Sequence, residues 1–419
     1  MKLRNLTTRR SSGALTVLIS SVAACAVCAP ALAAPVLAAP VLAAPVLAAP
    51  ALAAPAGIQA AASVPAQLSL ASDSCMSITD CVAVGQRVTT ADRDLTLAES
   101  WNGHRWRILP QPPSPGSLDS LAAVSCASRS ACMAVGSYES VEAGKPKPHV
   151  QVLNLAELWN GRAWKLLATP DRGTGNQLTG VSCTAVNRCV AVGWSLAGTI
   201  AERWNGSRWR LMTTRNPARD IVLNSVSCAT GSDCVTVGAE GFGDGPLVAE
   251  VWNGRSWQVN NPPNPGSIED ALASVSCPGP ADCTAVGNYL TPPGVSSPSR
   301  PKTLAELWDG KSWRRLQAIT PPGTKAGAGL HSVSCPKAGS CLAIGAAGQT
   351  LLGEQWNGHA WRLTRTPREP AKHVSVNLFG VACWRVDRCM VVGDYFGSSQ
   401  VVHPLAEVWN GTTWRLVLG

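Results

Sequence analysis

The chain has 419 residues, of which 46% are hydrophobic and 15% are charged, and its formal net charge is +9 at pH 7. Four of the positive charges lie within the first ten residues, and no run of Lys or Arg follows them. This distribution argues against a nucleic-acid-binding protein. Trp is unusually common, at 16 residues against three Phe and three Tyr, so a repeated motif that contains Trp is expected.

Residues 1–33 have the layout of an export signal. Basic residues occupy the start, an apolar run extends from Gly13 to about Ala29, and Ala31-Leu32-Ala33 is a small-x-small cleavage site. We therefore predict a signal peptide that ends at Ala33, and a secreted or cell-surface protein. Val22-Ala23-Ala24-Cys25 resembles the lipobox of bacterial lipoproteins, so the alternative is a protein anchored by a lipid on Cys25.

Residues 34–65 are predicted to form a low-complexity linker. The pentapeptide [AV]-L-A-A-P occurs five times between residues 31 and 55. A proline at every fifth position prevents helix and sheet and favours an extended chain. The segment is therefore interpreted as a semi-rigid spacer that cannot form a core.

Seven copies of one unit fill residues 66–419. Each copy contains Cys-x5-Cys, with a Leu five residues before the first Cys and a Gly four residues after the second. The copies recur about every 51 residues, which is within the range of β-propeller blades. The cysteine pairs are Cys75 and Cys81, Cys126 and Cys132, Cys183 and Cys189, Cys228 and Cys234, Cys277 and Cys283, Cys335 and Cys341, and Cys383 and Cys389.

Each unit predicts four short strands in chain order. Leu-x-x-Val-Ser-Cys is the first strand, with alternating apolar positions. Cys-x-Ala-Val-Gly is the second strand and Leu-Ala-Glu-x-Trp the third. The fourth strand starts at a second Trp. Asn-Gly separates the third and fourth strands in six units and Asp309-Gly310 does so in the fifth, which indicates a tight hairpin. The first unit departs from the pattern with Asp73 in place of Val.

Four antiparallel strands repeated seven times predict an all-β fold, a seven-bladed β-propeller of four-stranded blades. An open solenoid would need capping repeats, and seven separate minidomains would each be too small to bury a core. The pattern resembles the kelch or galactose-oxidase type of propeller in the Gly that ends strand two and in the aromatic–turn–Trp of strands three and four. It departs from that family in having a single Gly, Trp where Tyr is usual, and a cysteine pair in every blade.

The residues repeated in every unit have structural explanations. Regularly spaced Cys in an exported chain predict one disulfide in each strand-one/strand-two hairpin. Because no His accompanies them and Cys-x5-Cys is not the usual spacing of zinc ligands, we expect no metal site. We also expect no cofactor. The paired Trp should pack between adjacent blades.

One Glu position is also repeated in all seven units. Six units have Lys or Arg directly after the second Trp, as at Arg107 and Lys165. We therefore expect each Glu to form a cross-strand ion pair or a hydrogen bond to the backbone. The glutamates are Glu99, Glu157, Glu202, Glu250, Glu306, Glu354 and Glu407.

The strand order predicts that the variable segments lie at one end of the propeller. Turns one–two and three–four are uniform and share one end, whereas loops two–three and four–one vary and share the other. All three Tyr of the chain lie two residues after the strand-two Gly, and such a face suits glycan or peptide binding. The alternative is that these Tyr only close the tops of their blades. The candidate binding residues are Tyr138, Tyr289, Tyr395, Trp194, His149 and His403.

These features favour a non-catalytic extracellular propeller, a monomer that binds a glycan or a protein. The alternatives are a glycan- or cell-wall-directed enzyme and a structural surface protein. A glycosidase needs two carboxylates at one bond, and no pair stands out. The resemblance also implies a copper oxidase, for which Tyr138 with His149 and Tyr395 with His403 supply the residue types. However, every repeat Cys is expected to be paired, so none is free for the Tyr–Cys crosslink of that family. Abundant Arg, Ala, Gly and Pro favour a bacterial, actinobacterial source.

Overall fold

The computed structural model describes residues 67–89, 93–142, 149–215, 220–241, 245–265, 270–290, 300–324, 326–365, 375–396 and 401–417. The predicted signal peptide, the linker and Cys25 lie outside these ranges. Within them, no helix is long and apolar enough to cross a membrane. The described ranges form seven antiparallel sheets of four strands, and each sheet keeps the order of the chain. The chain is therefore a seven-bladed β-propeller, as its sequence predicts.

The first four blades have the following strands. Blade one contains β1 (Gln67–Ser77), β2 (Asp80–Val88), β3 (Asp94–Trp101) and β4 (Trp106–Ile108). Blade two contains β5 (Ser120–Ser128), β6 (Ala131–Glu142), β7 (His149–Trp159) and β8 (Trp164–Leu167). Blade three contains β9 (Gln177–Ala185), β10 (Arg188–Ser195), β11 (Gly198–Trp204) and β12 (Trp209–Leu211). Blade four contains β13 (Val222–Thr230), β14 (Asp233–Ala239), β15 (Leu247–Trp252) and β16 (Trp257–Val259).

The last three blades repeat this arrangement. Blade five contains β17 (Ala271–Gly279), β18 (Asp282–Leu290), β19 (Pro301–Trp308) and β20 (Trp313–Leu316). Blade six contains β21 (Ala328–Lys337), β22 (Ser340–Ala347), β23 (Thr350–Trp356) and β24 (Trp361–Leu363). Blade seven contains β25 (Ser375–Arg385), β26 (Arg388–Phe396), β27 (Val402–Trp409) and β28 (Trp414–Leu416). The first strand of each blade contacts the first strands of both neighbouring blades, including β1 with β25, so the first strands surround the axis and the ring is closed.

The two hairpin turns of each blade lie together, as predicted from the strand order. In blade one, Asn102 Oδ1 accepts the backbone N–H groups of His104 and Arg105, both at 3.0 Å. Gly103 has φ +94°, and a Cβ on it would lie 2.6 Å from the Thr79 side chain of the other turn. Glycine is therefore required here both by the left-handed backbone and by the close approach. This end is called the turn end below, and the opposite end the loop end.

The predicted disulfides are confirmed, one in the strand-one/strand-two hairpin of each blade. All fourteen repeat cysteines are paired in this way, so none is a free thiol. The disulfides join Cys75 to Cys81, Cys126 to Cys132, Cys183 to Cys189, Cys228 to Cys234, Cys277 to Cys283, Cys335 to Cys341, and Cys383 to Cys389.

The predicted Trp packing between blades is also confirmed. In each blade the last residue of strand three and the first of strand four are Trp residues that pair across the hairpin, and both are at least 92% buried. Their ring centroids are 4.9–5.8 Å apart. Seven apolar clusters, one at each interface between neighbouring blades, contain these Trp residues.

A repeated serine joins the inner strands around the axis. In blades one to six, the Ser hydroxyl of Val-Ser-Cys, or of Asp-Ser-Cys in blade one, accepts the backbone N–H of the first Cys of the next blade at 2.9–3.1 Å. These bonds satisfy donors on the open edge of each inner strand. We call this series the serine ladder; its members are Ser74, Ser125, Ser182, Ser227, Ser276 and Ser334.

Carbonyl groups on the same edge are reached by side chains from the preceding blade. Asn224 Nδ2 donates to the Leu272 carbonyl oxygen at 2.9 Å, and His331 Nδ1 lies 3.1 Å from the Leu378 carbonyl oxygen. Both side chains directly follow the first-strand Leu of their units. They lie at an axial cavity of about 160 Å³, which is lined by inner-strand residues of all seven blades.

The interface between blades seven and one differs from the other six. Blade seven has Ala382 where the ladder has Ser, so that bond cannot form, and Asp73 of blade one faces it instead. The Asp73 carboxylate is hydrogen-bonded to the backbone of Ala382, and burial raises its pKa well above the usual value. A Cβ at Gly380 would lie 2.7 Å from Asp73 Oδ1, so this glycine makes room for the carboxylate. Asp73, which departs from the repeat in blade one, therefore contacts Ala382, which departs from it in blade seven.

The same interface is also joined near the loop end. Ser69 Oγ of blade one donates to Asp394 Oδ2 of blade seven at 2.7 Å, and Asn377 Nδ2 donates to Asp394 Oδ1 at 2.9 Å. Burial raises the pKa of Asp394, and these two donors oppose the shift. Polar contacts thus close the ring where the serine ladder is interrupted.

We predict that the double variant Asp73→Val with Ala382→Ser is more stable than the parent at pH 8, by about 1–2 kcal/mol in the free energy of unfolding. It removes a buried carboxylate and adds the missing hydrogen bond. Because its pKa is raised in the folded protein, Asp73 destabilises the fold at a pH high enough to ionise it in the unfolded chain. The stability gained by removing Asp73 should therefore shrink towards pH 4. Denaturant unfolding at both pH values measures this. Ser334→Ala, which removes one ladder bond elsewhere, should cost about 1 kcal/mol at either pH; an unchanged or less stable double variant would contradict the prediction.

Candidate binding face

The loop end is built by hairpins of unequal length and by the segments between blades. The hairpin of blade two is long, since β6 and β7 pair as far as Glu142 and His149, whereas that of blade three turns at Ser195 and Gly198. The segments between blades bond to these hairpins, as where the Leu196 N–H donates to the Thr174 carbonyl oxygen at 3.0 Å. Backbone bonding therefore holds segments whose sequences differ between blades.

The three tyrosines occupy equivalent positions at three different interfaces. Each is half-buried and packs on an apolar cluster between its own blade and the preceding one. Tyr138 packs between blades one and two, Tyr289 between blades four and five, and Tyr395 between blades six and seven. Their separation places them in three local environments around the ring.

Two of these environments contain a cationic or aromatic partner. Tyr395 pairs across the hairpin with His403, and the two rings stack with centroids 5.1 Å apart. The Arg315 guanidinium lies 4.2 Å from the centroid of the Tyr289 ring, a cation–π distance. Trp194 lies in blade three, opposite Thr199 near the tip of its hairpin. His149 begins β7, and its side chain lies outside the described part of the structure.

Carboxylates surround the third tyrosine. The pKa of Tyr138 is raised, first by burial and then by the charges of Asp171 and Asp119. Asp171 Oδ1 accepts the Asn154 backbone N–H at 2.9 Å, and Asn154 Nδ2 donates to Glu202 Oε1 at 3.0 Å. Asp171 is exposed at the loop end, so the group extends from solvent into the interface between blades. We call Tyr138, Asp119, Asp171, Asn154 and Glu202 the blade-two polar cluster.

The repeated glutamates are buried at the interfaces between blades. In two blades a backbone donor from the preceding blade reaches the carboxylate: Arg215 N–H bonds to Glu250 at 2.9 Å, and Ile319 N–H to Glu354 at 3.0 Å. The backbone-bond prediction is therefore confirmed at these two positions. The equivalent residue of blade two is Pro170, which has no N–H, and there Asn154 supplies the donor for Glu202.

Burial is the main influence on these carboxyl groups. It raises the pKa of Glu99, Glu157, Glu306 and Glu354 to about 7. The pKa of Glu202 rises to about 8, because the charge of Asp171 adds to the effect of burial. These groups therefore keep their protons to near-neutral pH in the folded protein.

The predicted ion pair between Glu and the cation after the second Trp is wrong. Glu157 pairs across the sheet with Leu166, and Lys165 pairs with Leu158. Because successive side chains point to opposite faces of a strand, the glutamate and the lysine leave the sheet on opposite sides. Glu99 and Arg107 show the same offset.

Sequence patterns alone missed two contacts. Arg315 follows an Arg in the fourth strand of blade five, where the other blades have an aliphatic residue. This departure from the repeat is the one feature of the sequence that could have pointed to its contact with Tyr289. Asp119 and Asp171 come from different segments between blades, so no spacing links them. Only folding brings both close to Tyr138.

Comparison with known proteins supports the fold. No family model matches the chain, and no curated protein matches it. The crystal structure of the RRP9 WD40 repeats has a TM-score of 0.50 at 11% identity and covers 78% of this chain and 87% of that chain. YCF48 from Cyanidioschyzon merolae has a TM-score of 0.48 at 12% identity, covering 83% and 97%, and a PL25 ulvan lyase has 0.48 at 11%, covering 80% and 90%. The similarity to the RRP9 repeats shows the propeller fold and nothing more.

We predict that the folded protein loses stability as the pH rises from about 5 to 8. A glutamate whose folded pKa is raised to 7 or 8 stabilises the fold fully below its unfolded pKa near 4.5, and that contribution is lost as the pH rises through the folded value. Glu202→Gln should lessen the loss and be about 1–2 kcal/mol more stable than the parent at pH 8. Thermal unfolding across this range measures both, with Glu139→Gln, at a half-buried position, as the control. An equal decline in parent and Glu202→Gln would count against this role.

Proposed function

We propose that this protein is a non-catalytic extracellular binding propeller, which recognises a glycan or a protein through its loop end. One observation carries the proposal: the sequence differences between blades are concentrated at the loop end, whereas the turn end repeats the same hairpins in every blade. Variation confined to one face of a repeated scaffold is typical of a binding surface. Seven disulfides, one per blade, are typical of secreted and extracellular proteins.

The blade-two polar cluster is the best-supported part of that surface. It combines an aromatic ring with the exposed acceptor Asp171 and the buried Asp119. A sugar or a peptide can use both features, since the ring offers an apolar face and the carboxylates accept hydrogen bonds. The stacked Tyr395 and His403 form a second aromatic surface on blade seven.

We predict that the double variant Tyr138→Phe with Asp171→Asn loses at least tenfold in affinity for the ligand. The full chain would be screened against cell-wall polysaccharides, a glycan array and extracellular protein extract. The ligand found in this screen would then be titrated by calorimetry into the parent, the double variant and the control. These substitutions keep the ring and the side-chain size, so the core between blades one and two should be preserved. Val186→Ser, which changes an exposed residue at the turn end, is the matched control.

Each outcome has a definite meaning. Loss of affinity in the cluster variant with retention in the control supports binding at the loop end. Equal affinity in all three proteins would contradict it, and chemical turnover of the bound ligand would show an enzyme instead.

The proposal includes export by residues 1–33 and a monomeric propeller carried on the linker 34–65. When the full gene is expressed in a secreting bacterial host, intact mass spectrometry of the mature protein should give a chain that starts at Ala34. A chain that starts at Cys25 with an added diacylglycerol would show the lipoprotein alternative. A mature mass with no export cleavage would contradict both.

A further inference from the structure

The outer strands of the propeller present cations around its circumference. In six of the seven blades, the residue after the Trp that begins strand four is Arg or Lys, and it is exposed. In the described part of the chain none of these side chains forms an ion pair with Asp or Glu. We call them the outer basic belt: Arg107, Lys165, Arg210, Arg314, Arg362 and Arg415.

Apolar surface and further cations accompany the belt. The next residue along strand four is an exposed aliphatic in several blades, as at Ile108 (55% exposed), Leu211 (47%) and Leu363 (45%). The three–four turns of the first five blades add the exposed cations Arg105, Arg162, Arg208, Arg255 and Lys311. Each such outer strand therefore carries one exposed cation and one exposed aliphatic side chain, which leave the strand on opposite faces.

The repeated glutamates, which lie on the strands paired with the belt, do not neutralise it. Six of the repeated glutamates are completely buried between blades and Glu99 is 6% exposed. Those whose pKa is raised to about 7 or 8 carry little negative charge below neutral pH. The cations of the belt are therefore not neutralised by the repeated glutamates of the same sheets.

We propose that the outer basic belt binds a linear acidic polysaccharide. A polymer with an anionic group on successive sugars can follow the circumference and contact one cation per blade. Five of the six cations are Arg, whose planar guanidinium matches carboxylate and sulfate groups in a two-pronged geometry. This surface is separate from the loop end and does not depend on the function proposed for it.

Blade four provides a natural test position, because Gln258 interrupts the belt there. It is exposed, and its Nε2 donates to Ser256 Oγ at 2.8 Å within its own hairpin. Gln258→Arg should extend the belt and raise the affinity for an acidic polymer. The removal variant combines Arg107→Gln, Lys165→Gln, Arg210→Gln and Arg362→Gln. Its matched control removes four exposed cations near the loop end: Arg93, Arg172, Arg300 and Lys302, each to Gln.

The full chain would be titrated with polygalacturonate, with dextran sulfate and with neutral dextran from 0.05 to 0.3 M salt. We expect binding to both acidic polymers but not to neutral dextran. The removal variant should lose at least tenfold in affinity at 0.15 M salt. The slope of its log affinity plotted against log salt concentration should become shallower by about one for each contacting cation lost. The control should lose less than threefold, and Gln258→Arg should gain about twofold to fivefold.

Other results would overturn the proposal. These are no binding of either acidic polymer, equal losses in the removal variant and the control, or tighter binding to anionic phosphatidylglycerol vesicles or duplex DNA than to the polysaccharides. Aggregation of the removal variant with unchanged polymer affinity would show that the cations only protect the open edges of the outer strands. Circular dichroism and intact disulfides check folding, and retained binding of the loop-end ligand separates failure of this site from failure of the other.

Discussion

The inner strands face the propeller axis with an open edge, and the rest of the structure depends on how that edge is satisfied. Unpaired N–H and C=O groups on a buried edge would cost free energy or attract another chain. Here the serine ladder accepts the N–H groups, while Asn224 and His331 reach carbonyl oxygens of the next blade. Because each bond joins two blades, satisfying the edge and closing the ring are accomplished by the same contacts. Where the ladder is interrupted at Ala382, the carboxylates of Asp73 and Asp394 join the two blades instead.

Packing between the sheets has a consequence for charge. The paired Trp and the repeated Glu occupy the same interfaces, so each carboxylate is withdrawn from water. A backbone N–H from the preceding blade meets it where the chain allows, at Arg215 and Ile319, and Asn154 supplies a donor where proline removes that N–H. The remaining cost of burial appears as a raised pKa. Because the repeated glutamates lie inside and the cations of the fourth strands lie outside, the outer strands carry exposed positive charge.

The two ends of the propeller can therefore have different roles. At the turn end, the Asn-Gly or Asp-Gly turns, the disulfides and the Trp pairs constrain every blade in the same way. At the loop end, the hairpins and connecting segments differ in length and chemistry from blade to blade. The blade-two polar cluster arises in this region from blades two and three and from the segments before and after blade two, which packing between the blades holds in register. A binding surface on such a scaffold needs little reorganisation when a ligand arrives.

The sequence by itself determined the strands, the number of blades, the disulfide partners and the assignment of turns and loops to opposite ends. Each of these depends on local periodicity or on a pattern repeated at one spacing, as in Cys75 and Cys81 or Asn102 and Gly103. Only the tertiary structure decided the partner of each glutamate, because strand register turns Lys165 and Glu157 to opposite faces. It also decided that the three tyrosines lie at separate interfaces, and that Asp73 meets Gly380 and Ala382 from the other end of the chain. Such contacts form between blades distant in sequence, and ring closure rather than local pattern brings them together.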